Sequence, residues 1–260
     1  MGLPIARHLA THGFEVSAYD VNMDVCESVT DFGGHCADSP KALAAVSDLI
    51  IILVGFESEV DQAIFGPAGI LAGARPSTII AVGSTVAPGY MKALPGRISG
   101  RDITFLDIPL CRGEPAAEAG ELLLMGGGEA EVFERARAVF SSFCTAIHYL
   151  GGLGAGQVGK MINNLIMWAS MSANHEGLLL AEALGVEQEP LRQALLQSSA
   201  RNWALETWLN NIPMPWAEKD MSIVLAAADQ VRLSIPLCGV VKETVKVLKI
   251  ARGQPTPIAR

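Results

Sequence analysis

The stretch Leu49-Ile-Ile-Ile-Leu-Val54 is apolar at every position. It is short and does not alternate, which is the pattern of a strand covered on both faces rather than one with a solvated side. Such a strand is expected at the centre of a sheet. Further β-rich runs at 16–20, 78–83, 104–110, 121–125 and 146–150 alternate with helical stretches. Strands that alternate with helices imply a parallel sheet with helices on both sides, a doubly wound α/β layer arrangement. After Gly151-Gly-Leu-Gly-Ala-Gly the pattern changes, and helices are predicted over 157–184, 189–198, 216–229 and 236–251 with no strand among them. Gly185 suits a helix stop, and Pro190 and Pro236 sit near helix starts, where a missing N–H costs nothing. The expected organisation is therefore an α/β domain over 1–150 and an all-helical domain over 151–260.

Composition narrows the function classes. Half of the 260 residues are apolar and 18% are charged, which excludes a disordered chain. The longest apolar runs fall well short of the ~20 residues that span a bilayer. A net charge of −8 with no gathered block of Lys and Arg argues against polynucleotide partners. The five cysteines, Cys26, Cys36, Cys111, Cys144 and Cys238, are odd in number and dispersed, with no CxxC and no His spacing suited to zinc. That usage fits reduced thiols and a cytoplasmic protein, and no metal is expected. The first residues lack the basic segment and apolar stretch of a signal peptide and read as the first turns of an amphipathic helix.

That opening has a second reading. A dinucleotide-binding unit runs from a strand through a glycine-rich turn into a helix whose first N–H groups hold a pyrophosphate. Here Met1-Gly2 corresponds to the end of such a turn, residues 3–12 to the helix and Gly13 to its stop. The strand at 16–20 ends in Asp20. An acid there accepts hydrogen bonds from a ribose hydroxyl and repels a 2′-phosphate, favouring NAD over NADP. The alternatives stay open: Gly2 also suits an ordinary helix start, and Asp20 a cap for the next helix. On the dinucleotide reading a central first strand is absent, its two neighbours have unpaired edges, and the natural protein is expected to start roughly ten residues upstream.

The sharpest chemical signal is Gly151-Gly-Leu-Gly-Ala-Gly-Gln-Val-Gly-Lys160-Met-Ile-Asn163-Asn164. Lys160 and Asn164 are one helical turn apart and share a face. Lys160 is the only formally charged residue between Tyr149 and Ala173, so it reads as a cleft lysine suited to proton transfer rather than a solvated surface charge. Asn164 is placed to orient a substrate hydroxyl beside it.

This motif resembles that of the β-hydroxyacid dehydrogenases of the 3-hydroxyisobutyrate type, whose helix carries G-x-x-G-x-G-x-x-x-K-x-x-N-N. Met1-Gly-Leu-Pro-Ile-Ala, Gly83-Ser84-Thr85-Val-Ala-Pro88 and Lys219-Asp220 match further family blocks in order, so the resemblance spans almost the whole chain. It implies that Lys160 is the general acid/base and that Asn164 binds substrate. It further implies that Thr85 lies against the NAD or NADP cofactor and that Lys219 lines the same cleft, which is expected between the two domains. The protein is then expected to oxidise a small 3-hydroxy acid and to assemble as a homodimer or homotetramer.

The substrate block departs from the family pattern D-x-P-V-S-G-G, appearing as Asp107-Ile-Pro109-Leu-Cys111-Arg112-Gly113. In the family the Ser and glycines hold the substrate carboxylate. A thiol is a poor donor, and Arg112 brings a bidentate cation that either grips an anion or points into solvent. Two other readings stand beside the dehydrogenase. An imine reductase shares the architecture, although a lysine at 160 argues for alcohol chemistry. A noncatalytic scaffold would explain the altered substrate block but not the retained Lys160 and Asn164.

Overall fold

The computed structural model of the chain describes residues 1–208 and 214–255. They form two compact units, one running Met1–Lys160 and the other from Met161 onward. In the first unit the order is α1 (Gly2–Thr11), β1 (Ser17–Ala18), α2 (Met23–Glu27), β2 (His35–Cys36), α3 (Pro40–Val46), β3 (Leu49–Ile52) and α4 (Glu57–Phe65). There follow β4 (Thr78–Val82), α5 (Pro88–Arg97), β5 (Ile103–Asp107), β6 (Leu110–Cys111), α6 (Gly113–Ala119), β7 (Leu122–Gly128), α7 (Ala130–Phe140) and β8 (Cys144–Gly151). The long helix α8 (Ala155–Ala183) begins in this unit and continues into the next.

Local chemistry accounts for the boundaries. α1 stops before Gly13, whose φ of +85° a side chain would resist. Asn22 caps α2 by accepting from Asp24 N, and Ser39 caps α3 by accepting from Ala42 N, with Pro40 in the first turn.

β3, β4 and β5 run parallel, with Leu49 opposite Ile79 and Ile79 opposite Thr104. Alternate residues feed two cores. Ala81 and Leu106 pack with Ile5, Ala117, Phe133 and Phe140 of α1, α6 and α7. Ile80, Val82 and Phe105 pack with Ala44, Val60, Ile64, Met91 and Leu94 of α3, α4 and α5. Fully burying a side chain of this size contributes roughly 1.5–3 kcal/mol.

Three expectations need correction. The strand at 49–54 is not central: in the six-stranded sheet, ordered β3-β4-β5-β7-β6 with β8 also paired to β7, β3 stands at the end and pairs only with β4 among the described residues. Its unbroken apolar run reports that both faces are covered, Ile50 and Ile52 by one core and Leu49 and Ile51 by the other. Face burial says nothing about whether both edges are hydrogen-bonded. The sheet is also mixed, because β7 runs antiparallel to β5 and to β6 and parallel to β8. An antiparallel neighbour needs no crossover, so β6 and α6 suffice to turn the chain round. Finally, the cysteines are not all isolated thiols. β2 folds back beside β1 as a separate parallel pair, and Cys36 reaches Cys26 of α2 to form a disulfide with Cα atoms 5.4 Å apart. Cys111, Cys144 and Cys238 are free and buried.

The second unit is helical throughout its described residues: the rest of α8, α9 (Gln188–Leu196), α10 (Trp203–Glu206), α11 (Ala217–Gln230) and α12 (Pro236–Ala251). Gly185, with φ +82°, follows the end of α8, and Pro236 opens α12. Its core gathers Met161, Trp168 and Met171 with Met221, Val224, Val241, Val245 and Leu248. Among the described residues no helix is long and apolar enough to cross a membrane.

Candidate active site

The carboxyl ends of the parallel strands β3 and β4 deliver two loops, residues 53–56 and 83–87. They approach closely because Gly83 lacks a side chain; a Cβ there would lie 2.6 Å from Leu53 Cδ2. Ser84 Oγ accepts from Val54 N at 2.7 Å, and Glu57 Oε1 accepts from Ala87 N at 2.6 Å. Thr85, half-buried, stands in the middle of this fastened loop.

The start of α8 is held by a carboxylate from β5. Asp107 is fully buried and accepts from Gly154 N at 2.7 Å and Gln157 N at 2.8 Å. Burial pushes its pKa up, against the lowering effect of the backbone N–H groups around it. A negative group at a helix start also satisfies N–H groups that have no partner within the helix. Two glycines make room for it: a Cβ on Gly127 would lie 2.6 Å from Asp107 Oδ1, and one on Gly156 2.8 Å from Oδ2. Gln157, also fully buried, accepts from Val86 N at 3.1 Å and donates to Ser84 O at 2.8 Å.

One turn beyond this anchor is Lys160, half-buried, whose Nζ donates to Leu110 O at 2.6 Å and lies 3.8 Å from Cys111 Sγ. The fold therefore brings Lys160 and Cys111, 49 residues apart in sequence, into contact. The neighbouring Arg112 turns elsewhere. It adopts φ +82°, and its guanidinium donates to Glu121 O at 2.7 Å and Thr145 Oγ1 at 2.8 Å. Gly113 follows with φ +74° and opens α6.

In the second unit Asn164 is buried and donates to Asp220 Oδ2 at 2.7 Å, while its own oxygen accepts from Asn163 at 2.9 Å. Lys219 lies over the Trp216 ring, 5.2 Å from its centroid, with Nζ 3.9 Å from Asp220 Oδ1. In the first unit Asp20 is exposed and accepts from Asn22 N at 2.8 Å. Met1 precedes α1 without a side-chain cap, and no acid occupies the first turn after Gly2.

Residues 1–151 match the family described as the NAD binding domain of 6-phosphogluconate dehydrogenase. Residues 154–256 match that described as the NAD-binding of NADP-dependent 3-hydroxyisobutyrate dehydrogenase. The chain belongs to the β-hydroxyacid dehydrogenase family. It is 32% identical to the mitochondrial 3-hydroxyisobutyrate dehydrogenase of Bos taurus over 82% of this chain, though it spans only 63% of that relative's length. It is 31% identical to the NAD-dependent L-serine dehydrogenase of Pseudomonas aeruginosa, over 80% of this chain and 70% of that one. Its fold is similar to that of 3-hydroxyisobutyrate dehydrogenase from Mycobacterium tuberculosis, with a TM-score of 0.84, 23% identity, and coverage of 95% of this chain and 90% of the other.

As in other β-hydroxyacid dehydrogenases, the cofactor is NAD or NADP. The residues present fit it. The uncapped, acid-free first turn of α1 leaves N–H groups for an anion, and the loops after β3 and β4 lie at strand carboxyl ends, where open α/β sheets bind nucleotides. Sequence reasoning assigned no role to Asp107, Gln157 or Ser84. Asp107 and Gln157 lie inside motifs that were recognised, but only the fold shows that their partners are 47 to 73 residues away.

Proposed function

We propose that this β-hydroxyacid dehydrogenase oxidises a small 3-hydroxy acid with NAD, and that Lys160 moves the hydroxyl proton. The observation that supports this best is the placement of Lys160, half-buried one turn after the Asp107 anchor and in contact with the substrate block at Leu110 and Cys111. Bound NAD supplies the acceptor for the hydride that leaves the carbinol carbon. Lys160, as the amine, takes the hydroxyl proton as the carbonyl forms, and as the ammonium returns it to the carbonyl oxygen in the reverse direction. Asn164, held by Asp220, presents its amide to the substrate, and Cys111 and Gly113 flank the carboxylate. Thr85 and Lys219 serve the cofactor, the turn ending at Met1 and Gly2 its pyrophosphate, and Asp20 its ribose, with preference for NAD. Arg112, whose guanidinium is occupied by Glu121 and Thr145, braces the starts of β7 and β8 in this reading rather than the substrate. Exposed Ile162, Ile166 and Leu180 of α8, with Leu184 just past its end, support assembly as a homodimer or homotetramer.

The test is NADH fluorescence titration of the purified chain, followed by turnover assays with NAD and 3-hydroxyisobutyrate or L-serine. Saturable binding with turnover of a 3-hydroxy acid is expected. Binding without turnover would favour a noncatalytic scaffold, turnover of a cyclic imine instead would favour an imine reductase, and absence of binding would overturn the proposal.

A further inference from the structure

Gln157 carries no charge, yet it is fully buried and uses both ends of its carboxamide on one loop. Its oxygen accepts from Val86 N and its nitrogen donates to Ser84 O, the residues on either side of Thr85. Its own backbone N–H is held by Asp107 Oδ2, and Lys160 follows within the next turn. Ser84 in turn accepts from Val54 N in a part-buried bond, so the loops after β3 and β4 and the first turn of α8 are joined through one continuous set of hydrogen bonds, of which the two made by the Gln157 side chain are buried. A buried carboxamide that lost these partners would carry the desolvation penalty of unpaired polar groups, so the arrangement resists sliding of the loop along the helix.

We propose that Gln157 is a positioning residue that holds the Thr85 loop in fixed register with the helix turn bearing Lys160. This rests on the reading above, in which Thr85 contacts the cofactor and Lys160 the substrate hydroxyl. Hydride and proton leave neighbouring atoms of one substrate, so an error in that register costs turnover more than binding. Asp107 serves the same end from below, by anchoring the helix turn itself to β5.

The test compares wild type with Gln157→Met, which keeps the length of the side chain but removes both hydrogen bonds, and Gln157→Glu, which keeps the acceptor for Val86 N but sets a second oxygen against Ser84 O. Two readouts are taken: amide hydrogen exchange of the cofactor-free protein over 83–87 and 154–160, and kcat and KM with NAD and the best hydroxy acid. In Gln157→Met, exchange in both segments should rise together by about tenfold or more while β7 is unchanged. Its kcat should fall on the order of 10²-fold with both KM values within about threefold, and Gln157→Glu should lie between. A merely structural role would lower the yield and melting temperature but leave kcat per folded molecule unchanged, and that result would overturn the proposal. So would faster exchange confined to 154–160. If wild type turns over no hydroxy acid, the functional reading fails by itself, and the paired exchange of the two segments still decides whether Gln157 couples them. If Gln157→Met does not fold, Gln157→Glu carries the same two comparisons.

Discussion

Lys160 Nζ donates to Leu110 O at 2.6 Å, so the residue with the strongest claim to proton transfer is tethered by a backbone carbonyl of the substrate block. One N–H directed at a fixed acceptor orients the others, and an ammonium has three. Lys160→Ala should lower kcat by about 10² to 10⁴-fold while the NADH dissociation constant stays within about threefold. Turnover near the wild-type value would remove Lys160 from the mechanism.

Cys111 places a sulfur where a hydroxyl would make the stronger hydrogen bond, 3.8 Å from Lys160 Nζ. Cys111→Ser exchanges a weak donor for a good one with little change in volume. The KM for a 3-hydroxy acid should fall about five- to tenfold, the effect of one added hydrogen bond, with kcat little altered. An unchanged or raised KM would show that position 111 does not face the carboxylate.

Arg112 combines a left-handed backbone, φ +82°, with two side-chain hydrogen bonds to Glu121 O and Thr145 Oγ1. Arg112→Ala loses the bonds and keeps the strain, whereas Arg112→Gly loses the bonds and relieves it. By urea denaturation the glycine variant should be more stable than the alanine variant by about 1 kcal/mol. Both should keep the substrate KM within about threefold; a tenfold rise would mean that the guanidinium serves the substrate after all.

Cys26 and Cys36, 10 residues apart, close a loop that runs from the last turn of α2 to β2. Thiol titration of the denatured, unreduced protein should therefore find three free cysteines, Cys111, Cys144 and Cys238, and five after reduction. Cys144 should react slowly in the native protein, because burial pushes its pKa up to about 12. Reduction should cost about 2–3 kcal/mol of stability by the loop-entropy relation. Five free thiols before reduction would refute the pairing.

Asp61 accepts from Tyr90 Oη at 2.7 Å and from both ends of the Arg97 guanidinium, which stacks on Phe65. Burial acts to raise its pKa, but the hydrogen bonds from Arg97 and Tyr90 outweigh it and the net shift is downward. A lowered carboxylate pKa stabilises the fold above the unfolded value of about 3.9 and loses that contribution as pH falls through the folded value below it. Wild type should exceed Asp61→Asn by about 1 kcal/mol or less at pH near 6, since the pair is partly exposed and screened. The difference should shrink as the pH drops below about 4. A gap that widens on acidification would contradict the assigned sign.

The division of information between chain and fold follows the range of each interaction. The alternation of strands and helices, the change at Gly151, the stops at Gly13 and Gly185 and the spacing of Lys160 and Asn164 all depend on neighbours within a turn or two, so the order of residues determined them. The edge position of β3 was not among them, because an apolar run responds to what covers its faces and is silent about its edges. Nor were the antiparallel insertion of β7 or the pairing of Cys26 with Cys36, which require strands to settle side by side. The same holds at the site. Lysine at 160 was legible as a candidate for proton transfer, but the hydrogen bonds that involve Leu110 O, Asp107 and the Ser84–Gln157 connection join residues 47 to 73 positions apart. Only packing in three dimensions removed these groups from water, and a buried polar group must find its partner wherever the fold brings one within reach.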